Sequence, residues 1–402
     1  MSPLLPVAEA RARILAAFEP AGPERVPLAG AAGRILAEDA VARRTQPPSD
    51  LSAMDGYAVR AADIVAIPAR LRVIGEAPAG RSFGGVVGAG EAVRIFTGAP
   101  LPEGADTIVI QEDTERYGDI VIARTSIPAG KHVRRAGLDF TEGTKCLEAG
   151  RKLSPADVSL AAAMNLPTLV VHRRPRIAFF STGNELVRPG ETPGPDQIVS
   201  SNNDGIAALV GKAGGIPLDL GIVPDRADAI RIAGRRAADA DMLVTLGGAS
   251  VGDHDLVQSA LAEDGLSIDF WRIAMRPGKP LMFGNHRGVP MLGLPGNPVS
   301  ALVCAILFLV PAIARLQGAR ETTPPTFPAR LASPLARNDN REDYLRARLD
   351  HVPGELPVAT PFPIQDSSML SALSAADCLV IRPPLAAPAE PGEIVQVIPL
   401  RD

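Results

Sequence analysis

Three short glycine-bearing stretches follow apolar runs in this chain and end in polar or charged residues: STGNEL (181–186), LGGASVGDHD (246–255) and GLPGNPVS (293–300). Glycine admits positive φ and close backbone approach, and consecutive N–H groups can form a nest for an anion such as phosphate. Any one such turn need only reverse the chain, whereas three on one edge would make a site. Near the second turn, RPGKP (276–280) sets Arg276 and Lys279 three apart on a loop stiffened by proline. There the arginine could fork onto an oxyanion and the lysine act as a point charge, the alternative being a solvated basic turn. Asp253, His254 and Asp255 invite a metal reading, but successive residues of an extended segment point to opposite sides and do not offer three groups to one ion. Mg²⁺ held by one carboxylate and substrate phosphates fits hard-oxygen chemistry better, with His254 incidental.

These turns must be held by elements that end together. From about 172 to 318 strand candidates (176–181, 216–223, 241–246, 266–273 and 289–294) alternate with helical stretches, the pattern of βαβ units on a mainly parallel, doubly wound sheet. Ligands of such sheets bind at the carboxyl ends of the strands, near helix N-termini. The last helix opens at GNPVS, with Asn297 as N-cap and Pro298 at its first position. Before this region the chain is β-rich, with short apolar runs at 92–96, 106–111 and 119–123 between Gly and Pro turns, and a stretch without clear period, RRTQPPSDLSAMDGYAV. A helix capped by Ser154, with Pro155 first and Asp157 third, closes it. After residue 319 a Pro-rich segment leads to short strands, the pattern of a small β-barrel. The expected fold is multidomain, α/β plus β: an N-terminal region over 1–171 carrying a β-rich lobe at about 50–140, an α/β domain at 172–320, and a barrel at 321–402.

Composition narrows the function. A formal charge of −4 argues against a general nucleic-acid or anionic-membrane binder. Cys146, Cys304 and Cys378 are too few and too scattered for a disulfide framework or zinc site, which suits a reducing cytoplasm. The N-terminus carries Glu9, Arg11 and Arg13 and reads as an amphipathic helix rather than a signal peptide. The apolar run from Ala301 is short for a bilayer span, contains Pro311, and reads as a buried helix. No GxGxxG opens the first α/β helix, which disfavours a nicotinamide dehydrogenase.

With SAMDGYAV (52–59), AVRIFTGAPLPEGADTIV (92–109), VRRAGLDF (133–140), RRPRIAFFSTGNEL (173–186), GGASVGDHD, PGKPLMFG (277–284) and GLPGNPVSA (293–301) in this order, the chain resembles the MoeA family of molybdopterin molybdenumtransferases, whose eukaryotic counterparts include gephyrin. The resemblance spans almost the whole chain. It implies an N-terminal core with an inserted β-rich lobe, a molybdopterin-binding α/β domain and a C-terminal β-barrel, in a homodimer whose site lies between one subunit's α/β domain and the other's N-terminal lobe. The implied reaction takes adenylylated molybdopterin and molybdate, with Mg²⁺, releases AMP and leaves molybdenum on the dithiolene. The implied partners are a molybdopterin adenylyltransferase upstream and molybdoenzymes or their chaperones downstream.

Position by position, the resemblance implies Asp255 and Ser250 for hydrolysis, Asp225 and Glu185 as further functional acids, either of which could meet Mg²⁺, and Asp55 and Thr97 from the other subunit. Arg134 and Asp139 match functional positions in VRRAGLDF. Gly247, Gly248, Pro295, Asn297 and Pro298 belong to the substrate turns. Arg276, Lys279, Ser300, Ser367 and either Arg341 or Arg346 match the molybdate group. Departures from the family pattern are Arg276 for a common Lys, Ala249 for Val, Asn184 for a frequent Asp, and Asp366 for the usual Gly of QGS. The last adds a carboxylate near an oxyanion site, where it would repel molybdate unless it points away or pairs with Arg. A tungstate-handling or target-dedicated paralogue, the adenylyltransferase itself, and a non-catalytic scaffold are the competing readings.

Overall fold

The computed structural model describes residues 4–248, 256–351 and 353–401. Ser250 and Asp255, together with Asp253 and His254, lie outside those residues.

The alternation of strand and helix builds a six-stranded sheet in the spatial order Ile216–Val223, Arg176–Thr182, Met242–Leu246, Val289–Leu294, Met282–His286, Leu266–Trp271. The first four strands are parallel, and Met282–His286 runs against both its neighbours. That strand was absent from the sequence-based expectation; Gly284, Asn285 and His286 give it little strand character. Period-2 alternation sends Ile177 and Phe179 to one face and Ala178 and Phe180 to the other, all fully buried. Helices Asn202–Lys212 and Pro298–Cys304 cover the first face through Ile206, Val210, Val299 and Val303. Helices Ala227–Arg235 and Leu256–Ala262 cover the second through Ile230, Ala233, Val257 and Ala260. A sheet buried on both faces leaves only its strand ends and turns for ligands.

The apolar run from Ala301 lies in a helical span, Pro298–Leu316, that is 72% buried and is a core helix. Pro311 has no N–H and its ring crowds the carbonyl four residues back; the turn Ala305–Leu309 widens to a π-helix beside it and absorbs the conflict. The N-terminal helix Val7–Ala16 buries Val7, Ala10 and Ile14 in this same core, and Phe18 packs 6.5 Å from the Phe283 ring.

In the N-terminal region Pro23–Pro27 pairs antiparallel with Thr168–His172, and Ala40–Val41 with Lys145–Leu147. The second pair brings together the chain entering and leaving a lobe whose six-stranded sheet curls into a half-barrel, with strand order Thr107–Ile110, Gly56–Val59, Glu91–Ile95, Ala69–Ala77, Ile120–Ala123, Thr114–Tyr117. Helix Pro155–Ala163 closes the region with a full capping box, Ser154 accepting from the Asp157 N–H and Asp157 from the Ser154 N–H. At the C-terminus, Glu342–Asp350, Val358–Pro361, Phe327–Leu331, Ile394–Pro399 and Cys378–Arg382 pair in turn, and the last returns to the first, closing a five-stranded barrel. Met275–Arg276 of the α/β domain joins this barrel alongside Glu342 and Asp343.

Candidate functional site

Three strand ends meet at Gly247. Its N–H donates to Leu294 O at 3.1 Å. A Cβ on Gly247 would stand 3.4 Å from Thr182 O, and one on Gly296 would stand 3.6 Å from the Gly247 Cα. The turns after Arg176–Thr182, Met242–Leu246 and Val289–Leu294 therefore touch. Gly247 and Gly248 hold φ of 93° and 67°, which other residues adopt only with strain. Thr245 is fully buried and its hydroxyl has no hydrogen-bond partner among the described residues.

Two acids rim this junction. The Glu185 carboxylate folds over Gly183, where a Cβ would come 2.5 Å from Oε2. Asp225 and Asn184 are locked reciprocally: the Asn184 N–H donates to Asp225 Oδ2 at 3.2 Å, and the Asp225 N–H to Asn184 Oδ1 at 3.1 Å. An aspartate at 184 would carry a second negative charge into this pair, so the asparagine holds Asp225 in place without repulsion. Among the described residues no group of three or more His, Cys, Asp or Glu is arranged to hold a metal ion.

The third turn runs into helix Pro298–Cys304, with Pro295 and Ser300 buried. Asn297 occupies the N-cap position but makes no cap. Its amide donates instead to Ser367 Oγ at 2.9 Å, while the Val299 N–H donates to Ser367 O at 3.1 Å, so the barrel supplies the partner that the helix end lacks. From the other side Asn202, first residue of helix Asn202–Lys212, donates Nδ2 to Gly296 O at 2.8 Å. Sequence reading passed over Asn202; its place opening a helix that faces a PGNP turn was the available signal.

The expected oxyanion cations already have partners. Arg276 Nη2 donates to the Asp343 carboxylate and to Asn338 Oδ1 at 3.4 Å, and its Nη1 lies 3.6 Å from Asp339. Arg341 forks onto Asp339 with a closest contact of 2.6 Å and holds that carboxyl down at about 2. Arg346 is buried, which lowers its affinity for the proton, and it donates to Gln365 Oε1 at 3.0 Å and Asp366 O at 2.7 Å. It braces the loop that carries Ser367. Asp366 folds back onto Ser368, accepting from its N–H at 2.8 Å and its hydroxyl at 2.5 Å, contacts that lower its pKa. Lys279 is exposed on its loop, and Gly278 next to it lies against helix Pro298–Cys304, where a Cβ would meet Cys304 Sγ at 2.3 Å. Ser300 sits one turn before Cys304 and so lies on the face this loop approaches. The acids interleaved in NDNRED (338–343) were the sequence signal that these arginines would be paired.

In the lobe, Asp55 Oδ1 accepts from the Thr97 N–H at 2.7 Å and the Thr97 hydroxyl at 2.8 Å, and these bonds lower its pKa. Gly56 is required beside it, since a Cβ would stand 2.0 Å from Val109 O. Arg134 pairs with Leu51 across a short ladder, placing VRRAG beside SAMDG, and exposed Asp139 follows, its N–H donating to Gln46 O at 3.0 Å. Asp55, Thr97, Arg134 and Asp139 thus share one lobe, whose sheet is separate from the α/β sheet. Two groups of residues far apart in the chain stand on two surfaces.

Comparison with known proteins gives three family matches: the MoeA N-terminal region (domain I and II) over residues 5–165, a probable molybdopterin binding domain over 178–315, and the MoeA C-terminal region (domain IV) over 328–400. The chain is 40% identical to a molybdopterin molybdenumtransferase of Nostoc sp. over 82% of its own length and 78% of the relative's. It is 34% identical to one of Haemophilus influenzae over 98% of both chains. The crystal structure of a molybdopterin biosynthesis moeA protein from Pyrococcus horikoshii superposes with a TM-score of 0.87 at 27% identity, covering 99% of this chain and 100% of that one.

Proposed function

The chain belongs to the MoeA family and is a molybdopterin molybdenumtransferase of molybdenum cofactor biosynthesis, and from that premise we propose how its residues act. Molybdopterin and molybdate are its substrates. The molybdopterin arrives adenylylated: water enters at phosphorus and the pyrophosphate link breaks with AMP leaving, and molybdate then forms bonds to the two dithiolene sulfurs while one Mo–O bond breaks, that oxygen leaving as water with the two thiol protons and molybdenum unchanged in oxidation state. The Gly248 N–H receives the pyrophosphate, while Gly247, whose own N–H is held by Leu294 O, has no side chain to keep the phosphates from the backbone; Ser250 and Asp255, which follow in the same sequence stretch, serve hydrolysis. Mg²⁺ bound with the phosphates supplies charge neutralisation; Glu185 or Asp225 would hold it, since this cation takes one or two carboxylates and fills its other positions with phosphate and water. Lys279, Ser300 and Ser367 form the molybdate side, with Pro295, Asn297 and Pro298 setting the turn between. Arg276, Arg341 and Arg346 act there through the Asp339, Asp343 and Gln365 contacts that position the barrel loop.

Asp55, Thr97, Arg134 and Asp139 complete the site from a second copy of the chain in a homodimer. The protein works in the cytoplasm, receiving its substrate from a molybdopterin adenylyltransferase and passing product to molybdoenzymes or their chaperones; neither nucleic acid nor membrane is a partner. The observation that carries the reading is the junction of three turns at Gly247 with Glu185 and Asp225 on its rim. Its test is AMP release from adenylylated molybdopterin and Mg²⁺ with and without molybdate. Molybdate-dependent release is expected; binding of the intermediate with no AMP under molybdate or tungstate would leave only a carrier role.

A further inference from the structure

One amide at this junction is left half used. Asn202 Nδ2 donates to Gly296 O, which fixes the orientation of the side chain, because the reversed amide would set oxygen against oxygen. Its Oδ1 is buried and has no partner among the described residues. The adjacent Asn203 shows the contrast: its Nδ2 donates to Asp219 at 2.8 Å and its Oδ1 accepts from Ser181 and, at 3.5 Å, from Ser200. A buried acceptor left unmade is costly, so one lying beside a ligand site calls for a donor from the ligand.

The chemistry of the substrates limits what that donor is. Oxygens of molybdate and of ionised phosphate only accept, so the groups that suit them are N–H groups and cations, and an amide oxygen would oppose them. Adenylylated molybdopterin carries donors only away from its phosphates: ring and amino N–H groups of the pterin, the adenine amino group and the ribose hydroxyls. We infer that Asn202 is a substrate-binding residue whose Oδ1 accepts a hydrogen bond from an N–H or O–H of the non-phosphate part of the intermediate, fixing which end lies over helix Asn202–Lys212. With Gly247 against Gly296, the junction then meets phosphate through the Gly248 N–H and the organic end through Asn202.

The inference rests on the proposed function, and the test separates the two. Affinities for adenylylated molybdopterin and for AMP, and KM for molybdate, are measured on the full-length wild type, Asn202→Ala and Asn202→Ser, with melting curves to confirm folding. Loss of one neutral hydrogen bond lowers affinity for the intermediate about tenfold in both variants, with KM for molybdate unchanged. A parallel loss for AMP places the donor on the adenosine end; an unchanged AMP affinity places it on the pterin end. Both outcomes support the inference. Unchanged affinity for the intermediate overturns it. So does an equal rise in the molybdate KM, which would mean that the turn carrying Asn297 had simply shifted. A wild type that binds neither the intermediate nor AMP sinks the functional reading and this inference with it.

Discussion

Arg276 of the α/β domain donates to the carboxylate of Asp343 in the barrel, across the point where Met275–Arg276 pairs with the barrel's long strand. The Asp343 side chain is only 5% exposed and its Oδ1 has no partner among the described residues, whereas the Arg276 side chain is 50% exposed. The arginine is therefore the main compensation for a buried negative charge, and it is committed to the domain junction.

Replacing Arg276 by Ala should consequently destabilise the protein at pH 7. A fully buried pair broken on one side costs ~3–5 kcal/mol, and the half-exposed guanidinium reduces this to ~1–2 kcal/mol. Burial already raises the Asp343 pKa. A raised carboxyl means that the folded state binds its proton more tightly, so stability declines as pH climbs from the ordinary carboxylate value through the folded one. The Arg276→Ala deficit should then shrink when urea unfolding is repeated near pH 4. A deficit that is the same at both pH values would show that Asp343 is not the group Arg276 compensates.

Gly247→Ala should damage function more than fold. A side chain at φ 93° costs ~1–2 kcal/mol, which a domain of this size survives. The added methyl would also sit 3.4 Å from Thr182 O, between the first and second turns where the phosphates are to lie. Melting temperature should fall by a few degrees, while AMP release drops at least tenfold, as for loss of an oriented oxyanion contact. Equal AMP release by variant and wild type would remove Gly247 from the site.

Much of this arrangement was legible in the sequence because it is local. The strand expected at 216–223 is found at Ile216–Val223, and the Ser154 and Asp157 capping pair forms as its spacing requires. What escaped depends on partners far along the chain. Asn297 was expected to cap its helix because its type and place suit a cap, yet Ser367, seventy residues on, takes its amide. Arg276 looked like an available cation because Asp343 is sixty-seven residues away. Spacing within a motif cannot show that competition; only closure of the barrel brings the competitor in.

On the other side of the sheet, Asp264 gathers three side chains: it accepts from Arg235 at 2.5 Å, approaches Arg287 at 3.5 Å and meets His286 Nε2 at 3.3 Å. Arg235 holds its carboxyl down at about 2, and burial lowers the His286 pKa. For a carboxyl lowered in the fold, the stabilisation is complete above the unfolded value and is lost as pH falls toward 2; a histidine lowered by burial loses stability as pH falls below its ordinary value. Both act in the same direction. The wild type should melt at progressively lower temperature below pH 6, most steeply between pH 4 and 2, and Asp264→Asn should flatten the lower part of that curve. Parallel curves for the two proteins would count against Asp264 as the acid-sensitive contact.

The two surfaces make the proposed dimer testable without a structure of it. Asp55 with Thr97 lies on the lobe and Asp225 with Asn184 on the α/β domain, so single changes can disable one half of a site at a time. Asp55→Ala and Asp225→Ala should each be inactive alone and remain folded, since both side chains are at least partly exposed. If one site draws on both copies, a mixed dimer contains one site with both changes and one with neither. Random assortment after co-expression then restores roughly a quarter of wild-type AMP release. A site built within one chain gives no recovery, because every chain in the mixture carries a disabling change. Recovery should vanish when both substitutions are placed in the same chain, and that control separates shared sites from contamination by wild type.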